Sequence, residues 1–242
     1  MFCVSLPVQA IPAHVAGQDC NNFINAGSQT SITCTMPGNI TAGNFIRVCL
    51  NQGGTTTAPV WTSGVGDMFV VDLPVTSLDS GTYHLTCAYL YNAAGGVATV
   101  GASGTFLNVP VIWASEFSGV VGTIDQTSSL ATGSSTAPAS PSVTTVSNGE
   151  LIIGIFSASG GLVADTGAGF TKGAAQGFTE MLEYKVQSTA GAISATATSS
   201  NGYWAAHVAT FGLISITARH KIINIRHVPK NKSSAILLAA FK

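Results

Sequence analysis

Short runs rich in Val, Ile, Thr, Phe and Tyr alternate along the whole chain with Gly, Asn, Ser and Pro. That texture is one of strands and turns. Strands are expected at Ser31–Met36, Asn44–Asn51, Met68–Leu73, Thr82–Tyr91, Gly104–Val109 and Val111–Gly119. A second set follows at Ser142–Val146, Leu151–Ser157, Thr179–Val186, Ile193–Thr198 and Trp204–Phe211. Between them stand turn signals such as Pro37-Gly38-Asn39, Gly53-Gly54, Asp79-Ser80-Gly81, Ala94-Gly95-Gly96 and Ser200-Asn201-Gly202. No long stretch carries a clean 3.6-residue apolar period, so long helices are not expected. In Thr82–Tyr91 the alternation puts Tyr83, Leu85, Cys87, Tyr89 and Tyr91 on the expected core face, opposite His84, Thr86, Ala88 and Leu90. Leu151–Phe156 is apolar on both faces, which predicts a strand covered on both sides.

Composition sharpens this into an all-β, antiparallel β-sandwich. Charged residues make up 8% of the 242 and hydrophobic ones 46%, against about 25% charged in average soluble domains. High hydrophobicity with little charge excludes a disordered chain. A surface of Ser, Thr, Asn, Gln and Gly, with little net charge to oppose association, suits repeating or extracellular assemblies. The charge that exists is segregated. Residues 1–218 hold three basic and ten acidic residues, a net of −7, and residues 219–242 hold six basic ones and no acid. Apolar runs such as Leu151–Phe156 and Ala235–Phe241 fall short of the roughly 20 residues a membrane span needs. Met1 to Ala16 has no Lys or Arg and no sustained apolar run, a poor match to a secretion signal.

The five cysteines, Cys3, Cys20, Cys34, Cys49 and Cys87, form no C-x-x-C pair, which argues against a zinc or redox motif. Buried free thiols are the first reading, since Cys packs as a small hydrophobe. One or two disulfides are the alternative, with Cys20–Cys34 as a possible pair.

Several segments carry a resemblance in their order and spacing. They are Ile40-Thr41-Ala42-Gly43-Asn44-Phe45-Ile46, Trp113-Ala114-Ser115-Glu116-Phe117-Ser118-Gly119-Val120, Val143-Thr144-Thr145 and Gly149-Glu150-Leu151-Ile152-Ile153-Gly154. Gly167-Ala168-Gly169-Phe170-Thr171, Glu183-Tyr184-Lys185 and Trp204-Ala205-Ala206-His207-Val208-Ala209-Thr210-Phe211 complete the set. Together, over about residues 28–211, they resemble an uncharacterised family of β-sandwich domains found in bacterial cell-surface or secreted proteins and in phage tail-associated proteins. The resemblance implies a jelly-roll-like sandwich, with the Ser/Thr/Ala/Pro segment Ser128–Ser142 as a long surface loop inside it. Residues 1–27 then form an N-terminal extension or first strand, and residues 212–242 a basic, β-prone C-terminal tail. Trp61–Asp67 departs from the family's usual turn, and the tail has no family counterpart. The family supplies no catalytic residue to transfer.

Ser31-Ile32-Thr33-Cys34 and Asp79-Ser80-Gly81-Thr82-Tyr83 also suggest immunoglobulin strands with a Cys34–Cys87 bridge. That reading would give two immunoglobulin-like domains. It suffers from the spacing, since the tyrosine corner lies two residues before the second cysteine and Tyr83 is four before Cys87.

No catalytic set and no metal or cofactor motif is expected. Ser118 lacks the glycine two residues before it that a nucleophile elbow has, and the five histidines show no metal spacing. Glu180 and Glu183 point to opposite faces of a strand and read as surface charges. Glu116 reads as a structural carboxylate accepting loop N–H groups. Glycan binding would use aromatic platforms near strand ends, for which Trp61, Tyr91, Tyr203 and Trp204 are the candidates; Trp113 reads as core. The cations Arg219, Lys221, Arg226, Lys230 and Lys232 are interspersed with Ile214-Ser215-Ile216, Ile222-Ile223-Asn224-Ile225 and Ala235-Ile236-Leu237-Leu238. So much Ile and Leu argues against a solvated nucleic-acid-binding arm and for strands packed on the acidic body of a neighbouring subunit. The expected function is a non-enzymatic structural or adhesive module of an extracellular assembly, whether phage tail, capsid or cell-surface filament. Its partners are further copies or other subunits. A carbohydrate-binding module is the alternative.

Overall fold

The computed structural model describes residues 10–212, apart from 55, 79–80, 121, 123, 160–162, 178 and 201. Eighteen strands and no helix occur among the described residues. Among these residues no helix is long and apolar enough to cross a membrane.

The first eight strands are β1 (Ala13–Phe23), β2 (Gln29–Thr35), β3 (Phe45–Gly53), β4 (Val60–Thr62), β5 (Val70–Ser77), β6 (Tyr83–Leu90), β7 (Thr99–Phe106) and β8 (Asn108–Ser118). They form a five-stranded sheet, β1-β8-β3-β6-β5, and a three-stranded sheet, β2-β7-β4. All the pairings are antiparallel, and β1–β8, β2–β7 and β3–β6 nest one inside the next. Nested pairing of this kind is a long hairpin rolled into two sheets, the jelly-roll plan. Where β4 and β5 would close the nest, β4 pairs with β7 and β5 with β6.

The remaining strands are β9 (Ile124–Thr127), β10 (Ala131–Ser134), β11 (Val143–Thr144), β12 (Glu150–Ser159), β13 (Val163–Thr166), β14 (Thr171–Gln176), β15 (Glu180–Gln187), β16 (Ala192–Ile193), β17 (Ala197–Ser199) and β18 (Tyr203–Phe211). Their main sheet runs β10-β18-β12-β15-β14, with β9 also on β18, and two ribbons, β11–β16 and β13–β17, lie beside it. Position by position this is the first plan again. β10, β18, β12, β15 and β14 stand where β1, β8, β3, β6 and β5 stood, and the ribbons replace β2–β7 and β4–β7. Gly43 and Gly149, both at positive φ, precede β3 and β12. Aligning them superimposes Phe117 on Phe211 through the β3–β8 and β12–β18 registers. It also superimposes Tyr89 on Tyr184 through the β3–β6 and β12–β15 registers. The chain is two successive copies of one strand plan.

The sheets stack. Phe45, Cys49, Leu85, Tyr89, Trp113 and Phe117 of the first five-stranded sheet pack on Leu151, Ile153, Ile155, Leu182, Ala209 and Phe211 of the second. The far face of the first sheet packs on β2, β4 and β7 through Ile46, Val48, Leu50, Ile32, Val100 and Phe106. The far face of the second carries Ile152, Phe156, Met181 and Val208 under the ribbons. Both large sheets are therefore buried on both faces, as the apolar run in β12 predicts. For β6 the single core face was too narrow a reading. His84, Thr86, Ala88 and Leu90 are buried as well, because a second sheet covers that side.

Two further differences follow from pairing partners the sequence does not name. The Ser128–Ser142 segment supplies β10, and Ser128 and Ser140 are hydrogen-bonded to Val208 and Ala195. Four cysteines form two disulfides, Cys20–Cys34 and Cys49–Cys87. Cys20–Cys34 is the pair the sequence suggested, and it ties the edge of one sheet to the edge of the next. Cys49 and Cys87 face each other across β3 and β6 within one sheet. The immunoglobulin bridge Cys34–Cys87 is not formed, so that reading is withdrawn. Cys3 and the tail residues 213–242 lie outside the described residues.

Candidate functional site

In β3 the residues facing the second sheet are Phe45, Arg47, Cys49 and Asn51, so two polar side chains sit on an apolar face. Asn51 ends that row opposite Ser157, the residue at the same position of the second copy. Asn51 Nδ2 donates to Ser157 Oγ at 3.0 Å and to Glu180 Oε1 at 3.1 Å. Ser157 Oγ also donates to Glu180 Oε1, at 3.5 Å, and Thr179 Oγ1 donates to Glu180 Oε2. Glu180 is buried, and burial pushes its carboxyl up to about 7 against the lowering effect of those three donors. The cluster borders a cavity of about 190 Å³ between the two halves, lined by Phe23, Tyr83, Val109 and Val111 from the first and Ala158 and Thr179 from the second.

Glu183 is also fully buried, on the opposite face of β15. Its Oε2 accepts Gly167 N–H at 2.8 Å. Burial pushes it up to about 7, opposed by backbone N–H groups of Gly167 and Thr196 and by Lys185. The surface reading of Glu180 and Glu183 is thus corrected. They do face opposite ways, but β15 is an inner strand with protein on both sides.

A second polar group lies deeper between the sheets. Arg47 pairs with Asp72, both side chains almost fully buried, and the guanidinium lies 5.8 Å from the centre of the Phe211 ring. His207 is buried on the facing strand, with Nε2 2.9 Å from Thr127 Oγ1. Burial pushes this histidine down to about 4; Asp72 works against that shift and Arg47 adds to it. Farther along, Glu150 is buried where β12 begins and accepts Ser147 N–H at 2.7 Å. Burial and the neighbouring Asp125 raise its carboxyl above the ordinary range.

Glu116 behaves as the sequence suggests. Its Oε1 accepts Thr41 N–H at 2.9 Å and Asn44 Nδ2 at 2.6 Å, and its Oε2 accepts Gln18 Nε2 at 3.0 Å. The carboxylate thus ties together two of the segments that carry the family resemblance. His14, Asp19 and Ser115 also converge, with His14 Nε2 2.9 Å and Ser115 Oγ 2.5 Å from the same Asp19 oxygen. The acid stands in the middle of this chain, whereas a nucleophilic relay places the histidine there. Ser115 Oγ further accepts Ala174 N–H at 3.0 Å, so the group joins β1, β8 and β14.

The four aromatic candidates are spread over the molecule. Trp61, half-buried on β4, packs against the cluster under the three-stranded sheet and has a tilted ring contact with Phe69. Tyr91, just after β6, is exposed. Tyr203 is exposed at the start of β18, and its neighbour Trp204 turns into the cluster beneath the ribbons, with Nε1 donating to Ser135 Oγ at 3.1 Å. Arg219, Lys221, Arg226, Lys230 and Lys232 lie outside the described residues. Sequence reading passed over Asn51 and Ser157; the available signal was a polar residue in register with an apolar strand face. Comparison with known proteins found no family model, no curated protein and no solved structure that matches this chain.

Proposed function

We propose that this protein is a non-enzymatic structural or adhesive module of an extracellular assembly, a virion or cell-surface fibre, that associates with further copies of itself. The observation that carries the reading is an apolar strip at an open sheet edge. Among the described residues β5 ends the first five-stranded sheet, and Met68, Val70 and Val71 on and before it are exposed, Met68 at 87%. An unpaired edge of that kind is a template for another chain. The low charge of the body supports it, as does the +6 of residues 219–242 against the −7 of the rest: the tail of one copy would meet the acidic body of the next. The two disulfides support an oxidising compartment, and the family resemblance supports a surface or tail-associated setting. Light scattering after size exclusion tests this on the full chain and on a chain ending at Gly212. Concentration-dependent oligomers that weaken with tail removal and with salt are expected. A stable monomer at all micromolar concentrations, unaffected by either change, overturns the reading.

Glycan binding is the second reading, favoured by the exposed ring of Tyr203 beside Trp204 at one strand end. A glycan array with the wild type and Tyr203→Ala tests it, and a blank array removes it.

A further inference from the structure

The open edge of β5 has a definite extent. Its pairing with β6 is regular at Val70 and Val71 and then shifts register on both sides of Leu73. Pro74 comes next, and a proline brings no N–H to a ladder. The stretch that can take a further strand is therefore residues 68–73. Val70 and Val71 are 50% and 46% exposed. Consecutive residues of a strand face opposite sides, so the strand that covers them has to be apolar on both of its faces.

The described chain ends close to this edge. The Phe211 ring lies 5.2 Å from that of Tyr89, and Tyr89 stands opposite Val70 in the β5–β6 register. The chain thus leaves the second sheet facing the strand next to the edge. Neighbouring strands are about 4.8 Å apart and stacked sheets about 10 Å. Three apolar segments follow Gly212. Ile214-Ser215-Ile216 starts too soon, since two residues reach only about 7 Å, and its alternation is apolar on one face. Ala235-Ile236-Leu237-Leu238 is poorer in β-branched residues, which strands favour. Ile222-Ile223-Asn224-Ile225 has apolar residues at consecutive positions and Pro229 soon after to stop it. Residues 212–221 give it a reach of about 33 Å. Lys221 and Arg226 bracket it, and they carry the sign that the acidic body attracts.

We infer that residues 222–225 of a neighbouring copy add to β5 as a sixth strand of the first sheet. This rests on the assembly reading proposed above and names the contact that makes the assembly. The unpaired N–H and C=O groups of the edge select an extended segment, and the two valines select its isoleucines. The same segment docked on its own chain would close the edge that the assembly needs open.

The test uses full chains with Cys3→Ser, because the other four cysteines are paired. A tagged chain carrying Val71→Cys is mixed with untagged chains carrying Ile222→Cys, Ile223→Cys, Asn224→Cys or Ile225→Cys, one at a time, and oxidised. Peptide mapping should find a disulfide between the two chains for at least one of these positions and none for Ser234→Cys. In light scattering, Ile223→Pro and the edge variant Val71→Lys should each raise the concentration needed for oligomers at least about tenfold, the worth of one or two hydrogen bonds. Ser234→Pro should leave it unchanged. The inference is overturned, with the assembly reading intact, if the full chain forms oligomers but no such disulfide, or if Ile223→Pro assembles as the wild type does. It is also overturned if Val71→Cys/Ile223→Cys in one chain closes its own disulfide at high dilution while the mixtures form none. A full chain that never assembles overturns the inference and the assembly reading together.

Discussion

Asn51 Nδ2 donates to Ser157 Oγ at 3.0 Å, and the two residues hold the same position in two successive copies of one strand plan. Contacts between equivalent points arise when two copies of a surface pack face to face about a local two-fold, as in an isologous dimer. Here the two copies lie in one chain and their shared face is the largest apolar cluster. At Asn51 and Ser157 that face turns polar and borders the cavity.

The buried carboxylates set the alkaline side of the stability profile. Glu180 and Glu183 hold their protons up to about pH 7, against an ordinary value of 4.5. A folded-state pKa raised in this way stabilises fully below about pH 4.5, and the stabilisation is lost as pH rises through 7. The melting temperature should therefore fall from pH 5 to pH 8. Glu183→Gln, which keeps an acceptor for Gly167 N–H, should flatten the profile and gain on the order of 2 kcal/mol at pH 8. Thermal denaturation across that range checks it; an unchanged slope would contradict the burial of a titrating Glu183.

His207 works the other way. Its folded-state pKa of about 4 lies below the ordinary 6.5, so the folded state resists protonation and loses stability as pH falls from 6.5 towards 4. In the wild type the two carboxylates oppose this trend. In Glu180→Gln/Glu183→Gln it should emerge, with stability rising between pH 4 and pH 6.5. Adding His207→Gln should remove that rise, as read from denaturant midpoints at each pH.

Glu116 accepts three hydrogen bonds from two separate segments, through Gln18 on β1 and through Thr41 and Asn44 in the turn before β3. Glu116→Ala removes the acceptor of Thr41 N–H and Asn44 Nδ2, whereas Gln18 Nε2 keeps Gly38 O and Asn39 O, and should cost about 2 kcal/mol. Glu116→Gln should also destabilise, because its amide places a new donor among existing ones. Chemical denaturation measures both, and a loss below about 0.5 kcal/mol for Glu116→Ala would show that the carboxylate organises nothing.

The disulfides differ in the loops they close, with sequence separations of 14 for Cys20–Cys34 and 38 for Cys49–Cys87. Loop entropy gives about 3 kcal/mol for the first and about 4 kcal/mol for the second. Replacing Cys49 and Cys87 together by Ala should lower stability more than replacing Cys20 and Cys34. Peptide mapping without reductant tests the pairing itself; a Cys34–Cys87 peptide would refute it.

Much of the strand plan could be read along the chain. Gln29–Thr35, Phe45–Gly53, Tyr83–Leu90, Glu150–Ser159, Glu180–Gln187 and Tyr203–Phe211 fall within a residue or two of their expected bounds, because each combines a short run of strand-forming residues with turn residues near its ends. β1 escaped notice. Ala13–Phe23 is an edge strand of mixed polar and apolar residues, whose register shifts between His14 and Asp19, so alternation fails where pairing still occurs. β10 was hidden in the same way inside a Ser/Thr/Ala segment that hydrogen-bonds to β18.

By itself the sequence determined the all-β class, the turns and the two-sided burial of β12, since these depend on neighbours a few residues away. The same local chemistry made Glu116 legible, as a carboxylate beside an apolar run needs N–H donors. Only the tertiary structure decided that the strand plan occurs twice and that the halves share a face, which buried Glu180 and His207, while the cover over the far face of the second sheet buried Glu183. Pairing of residues more than a hundred positions apart, as Asn51 with Ser157, depends on how sheets stack. Stacking sets which polar groups lose water, and no local pattern of residues records it.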